Sequence, residues 1–435
     1  MQKSRRNIEG KALGPVELVA IALGGMVGGG IFTILGIAVA LVGALAPLAI
    51  ALGGGVALLA AYSYVKLGVY YRDEGASYAF IKRSFPKRKI GASLIGWWVV
   101  FGYISTLALY AYTFSSYAIS SFAFADNEWV RKAVAGGIIL LFTLINVWSV
   151  KGMGRLEDLM VYLKLFILFV ISIILMRSSD VSLPVLIQAH EGFHLVNILI
   201  VASLTFVAYE GFQLVINAVG EMDKPARNIP LAIYTAIFLA MVIYVVLAIG
   251  ALLAIPFDDL VNNQEYALAA GAGDVLGNWG TRIVILGALL ASSSAISGTV
   301  FGASRQLAAI ADDGFMPKAL ARRQNNIPVF AILTMSGFAF LLILLGSLQV
   351  ILEFGSVTFL LVSLLIAYTN HKMRHKTGSS SLLTYTAMIG LAGGTGFIVY
   401  HEAIHQPLQL MFIGLLYLAL TIGALVYAHL VREKA

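Results

Sequence analysis

The chain reads as a succession of long apolar runs separated by short polar connections. Twelve runs can be marked, at roughly 16–42, 46–70, 92–123, 133–149, 158–177, 194–219, 230–255, 281–310, 329–347, 350–369, 383–400 and 407–430. A run of about 20 apolar residues is what a helix needs to cross the hydrocarbon core of a bilayer. None of the runs breaks into ten-residue segments of alternating polarity, so a β-barrel is excluded. The pattern predicts an all-α polytopic membrane protein with twelve transmembrane helices.

The polar connections give the orientation. If the chain starts inside, the outer connections carry only Arg131, Lys132, Arg177 and Arg282, and Lys66, Lys164 and Arg305 lie within runs. The inner segments then hold 22 of the 29 lysines and arginines. Basic residues favour the cytoplasmic side, so both termini are expected to be cytoplasmic in a cell-membrane protein. The dense run Lys82-Arg83-Ser84-Phe85-Pro86-Lys87-Arg88-Lys89 reads as an orienting anchor. Pro230 suits the first turn of the seventh helix. The longest outer connection, 257–279, is a candidate lid.

Two runs carry interruptions. In the first, Gly24-Gly25-Met26-Val27-Gly28-Gly29-Gly30-Ile31-Phe32 places five glycines in seven positions. Each glycine costs a helix interior about 1 kcal/mol relative to alanine. Broken backbone at membrane depth is tolerated only where protein buries it or it lines a wet cavity. Freed N–H groups opening the second half-helix can hold a carboxylate, and freed carbonyls closing the first half can hold a cation. The competing reading is a small-residue seam for close helix packing. A second interruption, Thr205-Phe206-Val207-Ala208-Tyr209-Glu210-Gly211-Phe212-Gln213, lies in the sixth run. If runs one to five and six to ten are two halves, the interruptions occupy corresponding positions, and an odd number of crossings per half inverts one half relative to the other. Paired interruptions of this kind point to a transporter site.

Composition narrows the class. The 435 residues are 60% hydrophobic and 12% charged, with mean hydropathy +0.89. Soluble domains carry about 25% charged residues. The net charge of +7 reflects the inner loops and gives no reason to expect nucleic acid as a partner. No cysteine is present, so disulfides and thiolate metal sites are excluded. The basic lead (Lys3, Arg5, Arg6, Lys11) is followed by an apolar run too long for a secretory signal, and it is expected to be retained.

At this point four stretches resemble the amino acid–polyamine–organocation (APC) permease superfamily. Val27-Gly28-Gly29-Gly30-Ile31-Phe32 is similar to the family's first-helix break. Glu74-Gly75-Ala76-Ser77-Tyr78 is similar to its glycine-rich stretch before the third helix. Ala208 to Phe212, with Glu221, Pro225 and Arg227-Asn228-Ile229-Pro230, resembles its sixth-helix break and following loop. Phe301-Gly302-Ala303-Ser304-Arg305 through Asp313-Gly314-Phe315-Met316-Pro317 resembles the end of its eighth helix. The resemblance implies a LeuT-type five-plus-five inverted repeat with two peripheral helices. The parts would be a cytoplasmic segment 1–15, a first repeat 16–190, a second repeat 191–381, and the last two helices with the C-terminus at 382–435. It also implies amino acids or related amines as substrates. Three departures stand out: Gln213 where the family has an acid after the glycine, Glu210 before that glycine, and Ala76 in place of a second glycine.

Candidate chemistry follows. Lys164 sits among apolar neighbours, and burial disfavours the charged form of a lysine, so such a group can release and regain a proton. The resemblance implies that it replaces sodium and bridges Gly24 to Ser293 and Ser294. The competing reading is a lysine snorkelling to the inner face. Glu210 is open to three roles: pairing with a cationic substrate side chain, taking a proton, or capping freed N–H groups. The substrate site is expected at Gly28, Gly29, Gly30, Ile31, Tyr103, Phe206, Ala208, Glu210 and Gly211, with Tyr110 a further gating aromatic. Lys66 and Glu353 read as interfacial residues. His190-Glu191-Gly192-Phe193-His194 and His401-Glu402-Ala403-Ile404-His405 both match the spacing of a zinc peptidase. They fall in outer connections without an evident third ligand, so no metal, cofactor or enzymatic activity is expected. The expected function is secondary amino acid transport by proton symport. The alternatives are a sodium-independent amino acid/amine exchanger and, further off, a membrane sensor or a zinc peptidase.

Overall fold

The computed structural model describes residues 13–87, 89–148, 150–177, 194–324 and 327–432. The basic lead, Arg88 and His190–Phe193 lie outside them. The described residues are almost entirely helical. The main elements are α1 (Pro15–Met26), α2 (Gly30–Val42), α3 (Ala46–Tyr71), α4 (Ala76–Ser84), α5 (Lys89–Ile119), α6 (Glu128–Trp148) and α7 (Val150–Arg177). They continue with α8 (Leu195–Thr205), α9 (Pro225–Ala254), α10 (Ala267–Asp312), α11 (Val329–Leu345), α12 (Leu348–Lys372), α13 (Ser381–His405) and α14 (Pro407–Arg432).

Every one of the twelve apolar runs is helical. Among the described residues, ten stretches are long and apolar enough to cross a membrane. One of the ten, Gly30–Tyr71, joins α2 to α3 through a bend at Gly43 (φ 55°), while α1 and α11 are shorter apolar helices. The glycine-rich and glutamate-containing interruptions both break their helices, as expected from the cost of glycine in a helix interior.

Helices α5 and α10 pack against each other at the centre, flanked by α3 with α9 and α7 with α10. Burial separates core from periphery. The apolar stretch of α12 is 83% buried and that of α14 only 17%. The exposed leucines and isoleucines of α13 and α14 therefore face outward, where hydrocarbon rather than water suits them.

Three boundaries depart from expectation. Helix α9 starts at Pro225, so Pro230 lies inside it. Lys224 in a left-handed conformation (φ 41°) turns the chain, and Pro225 takes the first helical position, where its missing N–H costs nothing. The outer connection 257–279 is mostly helical: it contains Phe257–Asn262, a 3-10 turn at Gln264–Tyr266 and the first part of α10, which bends at Gly277 (φ 66°). His401-Glu402-Ala403-Ile404-His405 is the last turn of α13 rather than a connection. No group of three or more possible metal ligands occurs among the described residues.

Candidate functional site

The two interruptions meet. Helix α1 ends at Met26 and α2 starts at Gly30. Leu23 O still accepts from Val27 N at 2.8 Å, but the next three carbonyls have lost their helical donors. Each finds a side chain. Lys164 Nζ donates to Gly24 O at 2.9 Å. Tyr110 Oη donates to Gly25 O at 3.2 Å, and Tyr244 Oη to Met26 O at 2.8 Å. On the other side of the break, Gly28 N turns back onto Met26 O at 2.8 Å. The N–H groups of Gly29, Gly30 and Ile31 have no acceptor among the described residues. The open donor set thus starts one residue later than the expected Gly28–Ile31.

In the sixth run, α8 ends at Thr205 and continues as a 3-10 turn, Phe206–Tyr209. Glu210 is extended and Gly211 has φ 121°. Only glycine adopts that φ without strain. A Cβ on Gly211 would lie 2.6 Å from the carbonyl carbon of Gly25, so the same glycine also lets the two breaks touch backbone to backbone. The small-residue seam and the broken helix are therefore one feature here. Tyr244 ties it together, since its hydroxyl reaches Ala208 O at 3.0 Å as well as Met26 O.

Lys164 is fully buried and does not reach a membrane face. It shares the inward stripe of α7 with Leu168, Ile171 and Leu175, while Leu163, Phe166 and Phe169 are exposed. Its ammonium also donates to Ser294 Oγ on α10 at 3.1 Å. Ser293, one residue earlier, is half-buried. Ser292 is fully buried, and its hydroxyl lacks a hydrogen-bond partner among the described residues. A Cβ on Gly29 would come within 2.8 Å of that hydroxyl.

Glu210 is 3% exposed, and its Oε1 has no hydrogen-bond partner among the described residues. Tyr64, Tyr103 and Tyr110 lie close enough to interact with its charge. Gln213 has a role that its departure from the family pattern did not suggest. Its Oε1 accepts from Gly211 N at 3.3 Å, and its Nε2 donates to Tyr103 Oη at 2.8 Å. Phe206 and Ala208 are buried in the same region, and a Cβ on Gly30 would make ordinary contact with Ala208 at 3.6 Å. The expected site residues are thus gathered at one place. Tyr244 and Ser292 join them without having been singled out: one tyrosine among 19, and one serine in a run of three, carry no distinguishing sequence signal. Lys66 lies elsewhere, donating to Gly378 O at 3.0 Å beside an open cavity of about 740 Å³ between α3 and α9.

Both ends of this region are closed by polar contacts. Near the Gln264–Tyr266 turn, Glu265 pairs with Arg131 of α6. Burial nevertheless pushes the Glu265 carboxyl up from its usual range. The turn packs on α2 so closely that a Cβ on Gly36 would sit 2.5 Å from Gln264 O. At the opposite end, Tyr78 of α4 donates to Asp313 at 2.9 Å and Lys82 pairs with Asp313 at 2.5 Å. Burial, reinforced by Asp313, pushes the Tyr78 phenol well up. Leu13 and the Glu221–Asp223 loop exchange backbone hydrogen bonds beneath α1.

A family described as amino acid permease matches residues 13–425. An uncharacterized protein of Methanocaldococcus jannaschii is 28% identical over 429 residues, covering 98% of this chain and 96% of its own. The inner membrane transport protein YbaT of Escherichia coli is 30% identical over 409 residues, 92% of each chain. The chloroplastic cationic amino acid transporter 6 of Arabidopsis thaliana is 24% identical over 376 residues, 81% of this chain and 63% of that one.

Proposed function

The chain belongs to the amino acid permease family of membrane transporters, and from that membership we propose that it carries an amino acid or related amine by proton-coupled symport. In this reading all twelve apolar runs cross the membrane, with both termini cytoplasmic. Residues 16–190 and 191–381 form inverted halves, and α13 and α14 stand outside them. The substrate carboxylate meets the N–H groups of Gly29, Gly30 and Ile31, where the α2 dipole favours negative charge. The substrate ammonium faces Glu210 and the Phe206–Tyr209 turn, beneath Tyr103 and Phe206. Rocking of α1, α2, α3, α8 and α9 against the remaining helices exposes the site to each side in turn.

The observation that carries the coupling is the buried ammonium of Lys164 on Gly24 O and Ser294 Oγ. A cation there holds the end of α1 to α10. A neutral amine holds it less, so loss of the proton is linked to freedom of the first half-helix. A capping role for Glu210 weighs less, because a cap on the second half-helix would leave its Oε1 satisfied.

The test is uptake of a labelled amino acid panel into proteoliposomes with an inward proton gradient and no sodium. Gradient-driven uptake that a protonophore abolishes is the expected result. Exchange against a preloaded substrate without a gradient would instead establish an amino acid/amine exchanger, and binding without flux would establish a sensor. Lys164→Gln, which keeps a donor but no titratable proton, is expected to retain binding and lose the dependence on the gradient. Unchanged pH-driven uptake in that variant would overturn the role given to Lys164.

A further inference from the structure

A second cluster of buried ionizable groups lies away from the breaks, where α12 meets α13. Glu353, in the second turn of α12, is 0% exposed, and Glu402, in the last turn of α13, is 1% exposed. The two helices pack along each other. Their register is visible one turn further out, where Gln406 Nε2 donates to Gln349 Oε1 at 3.3 Å. Gln349 precedes Glu353 by four positions and Gln406 follows Glu402 by four. Positions four apart share a helix face, and the two carboxyl groups meet across the interface. All four carboxyl oxygens are buried, and none has a hydrogen-bond donor among the described residues. The amide of Gln409 is directed at Gln406 Oε1.

Among the described residues no lysine or arginine forms a salt bridge with either carboxyl. The titratable neighbours are His401 and His405, both on α13; His405 Nδ1 lies 3.1 Å from His401 O. His194, at the start of α8, is exposed. The tyrosines of α5 and of the 3-10 turn bond elsewhere: Tyr103 to Gln213, Tyr110 to Gly25, Tyr112 to Glu265, Tyr117 to Phe32 and Tyr209 to Ile50. Charged residues of α4 face Asp73 and Asp313 at the far end. Helix α11 and the first turns of α3 and α14 hold no titratable residue. Two adjacent carboxylates in such surroundings cannot both be ionised. What the four oxygens lack is a donor, and a carboxylic proton is one.

We propose that Glu353 and Glu402 together bind one proton in the folded protein, forming a carboxyl–carboxylate clamp between α12 and α13. The clamp is separate from Lys164 and does not rest on the role given to that lysine. Removal of its proton sets two negative charges against each other and loosens α13 from α12.

The test uses the full chain in lipid vesicles. Infrared spectra of wild type minus Glu353→Gln/Glu402→Gln are expected to show a protonated carboxylic C=O stretch at neutral pH that disappears on alkaline titration. The folded pair holds more protons than the unfolded chain does at neutral pH, so wild-type stability is expected to fall as pH rises. The double variant keeps the clamp without a proton, and its slope should be shallower by about one bound proton. Should the double variant fail to fold, Glu402→Gln alone is expected to shift the carboxylic band. Absence of any carboxylic band that depends on these residues, with equal pH slopes, would overturn the proposal. So would thermal stabilisation of the wild type by sodium or calcium that the variants lack, since the oxygens would then hold a metal cation.

Discussion

The two breaks differ in what they leave available. At the first, the carbonyls of Gly24, Gly25 and Met26 are engaged by Lys164, Tyr110 and Tyr244, while three N–H groups have no acceptor among the described residues. At the second, Gly211 N is satisfied by Gln213, Ala208 O by Tyr244, and a carboxylate oxygen of Glu210 is left over. Both breaks leave backbone N–H groups open among the described residues, and the second adds a buried carboxyl oxygen. A backbone group orphaned in a low-dielectric interior costs about 1–3 kcal/mol, so each unsatisfied group marks a place where something else is to bind. A zwitterion, negative at one end and positive at the other, complements the pair.

Substitutions can break or sharpen this contrast. The largest effect is expected from Gly211→Ala. It incurs about 1–3 kcal/mol of backbone strain before the clash with Gly25 is counted, and thermal melting should show loss of the folded protein or a large drop in midpoint. Glu210→Gln next isolates the acceptor of the second break. Affinity for a substrate with a free ammonium is expected to fall about tenfold or more, roughly 1.4 kcal/mol, in equilibrium binding, with little change in melting. Unchanged affinity would remove Glu210 from the substrate site. Tyr244→Phe keeps the ring and removes the hydroxyl shared by the two breaks. A loss of about 1 kcal/mol in stability is expected, with a larger loss in uptake than in binding. The smallest effect concerns Ala76, which stands where the family has glycine and which has φ 43°. Ala76→Gly is expected to raise stability by about 0.5–1 kcal/mol, measurable as a small rise in melting midpoint without change in uptake.

The parts of this arrangement legible in the sequence were those that violate the apolar background. Glycines that break a helix, and a lysine or glutamate inside an apolar run, stand out because each is costly there. The inward face of each helix was not legible. In a soluble protein a polar face would reveal it, but Leu168 facing the core and Phe169 facing outward are both apolar. For the same reason Ser292, Ser293 and Ser294 were equivalent until the rotation of α10 was known. Pro230 is not the first helical residue because the left-handed Lys224 places Pro225 there, and that turn has no residue-type signature. His401 and Glu402 are polar, which suggests a connection, although both are buried and helical.

Tyr244 carries a single hydroxyl hydrogen, yet it sits within reach of two carbonyls, one from each break. One hydrogen cannot serve both acceptors fully at once. While the two breaks stay in contact, the mismatch costs little, because the hydrogen can alternate between two oxygens at 2.8 and 3.0 Å from the hydroxyl. Were Met26 and Ala208 to move apart, the hydroxyl would have to follow one and abandon the other. The tyrosine would then act as an arbiter, and the carbonyl it deserted would be a vacancy that water or a passing ammonium group could fill.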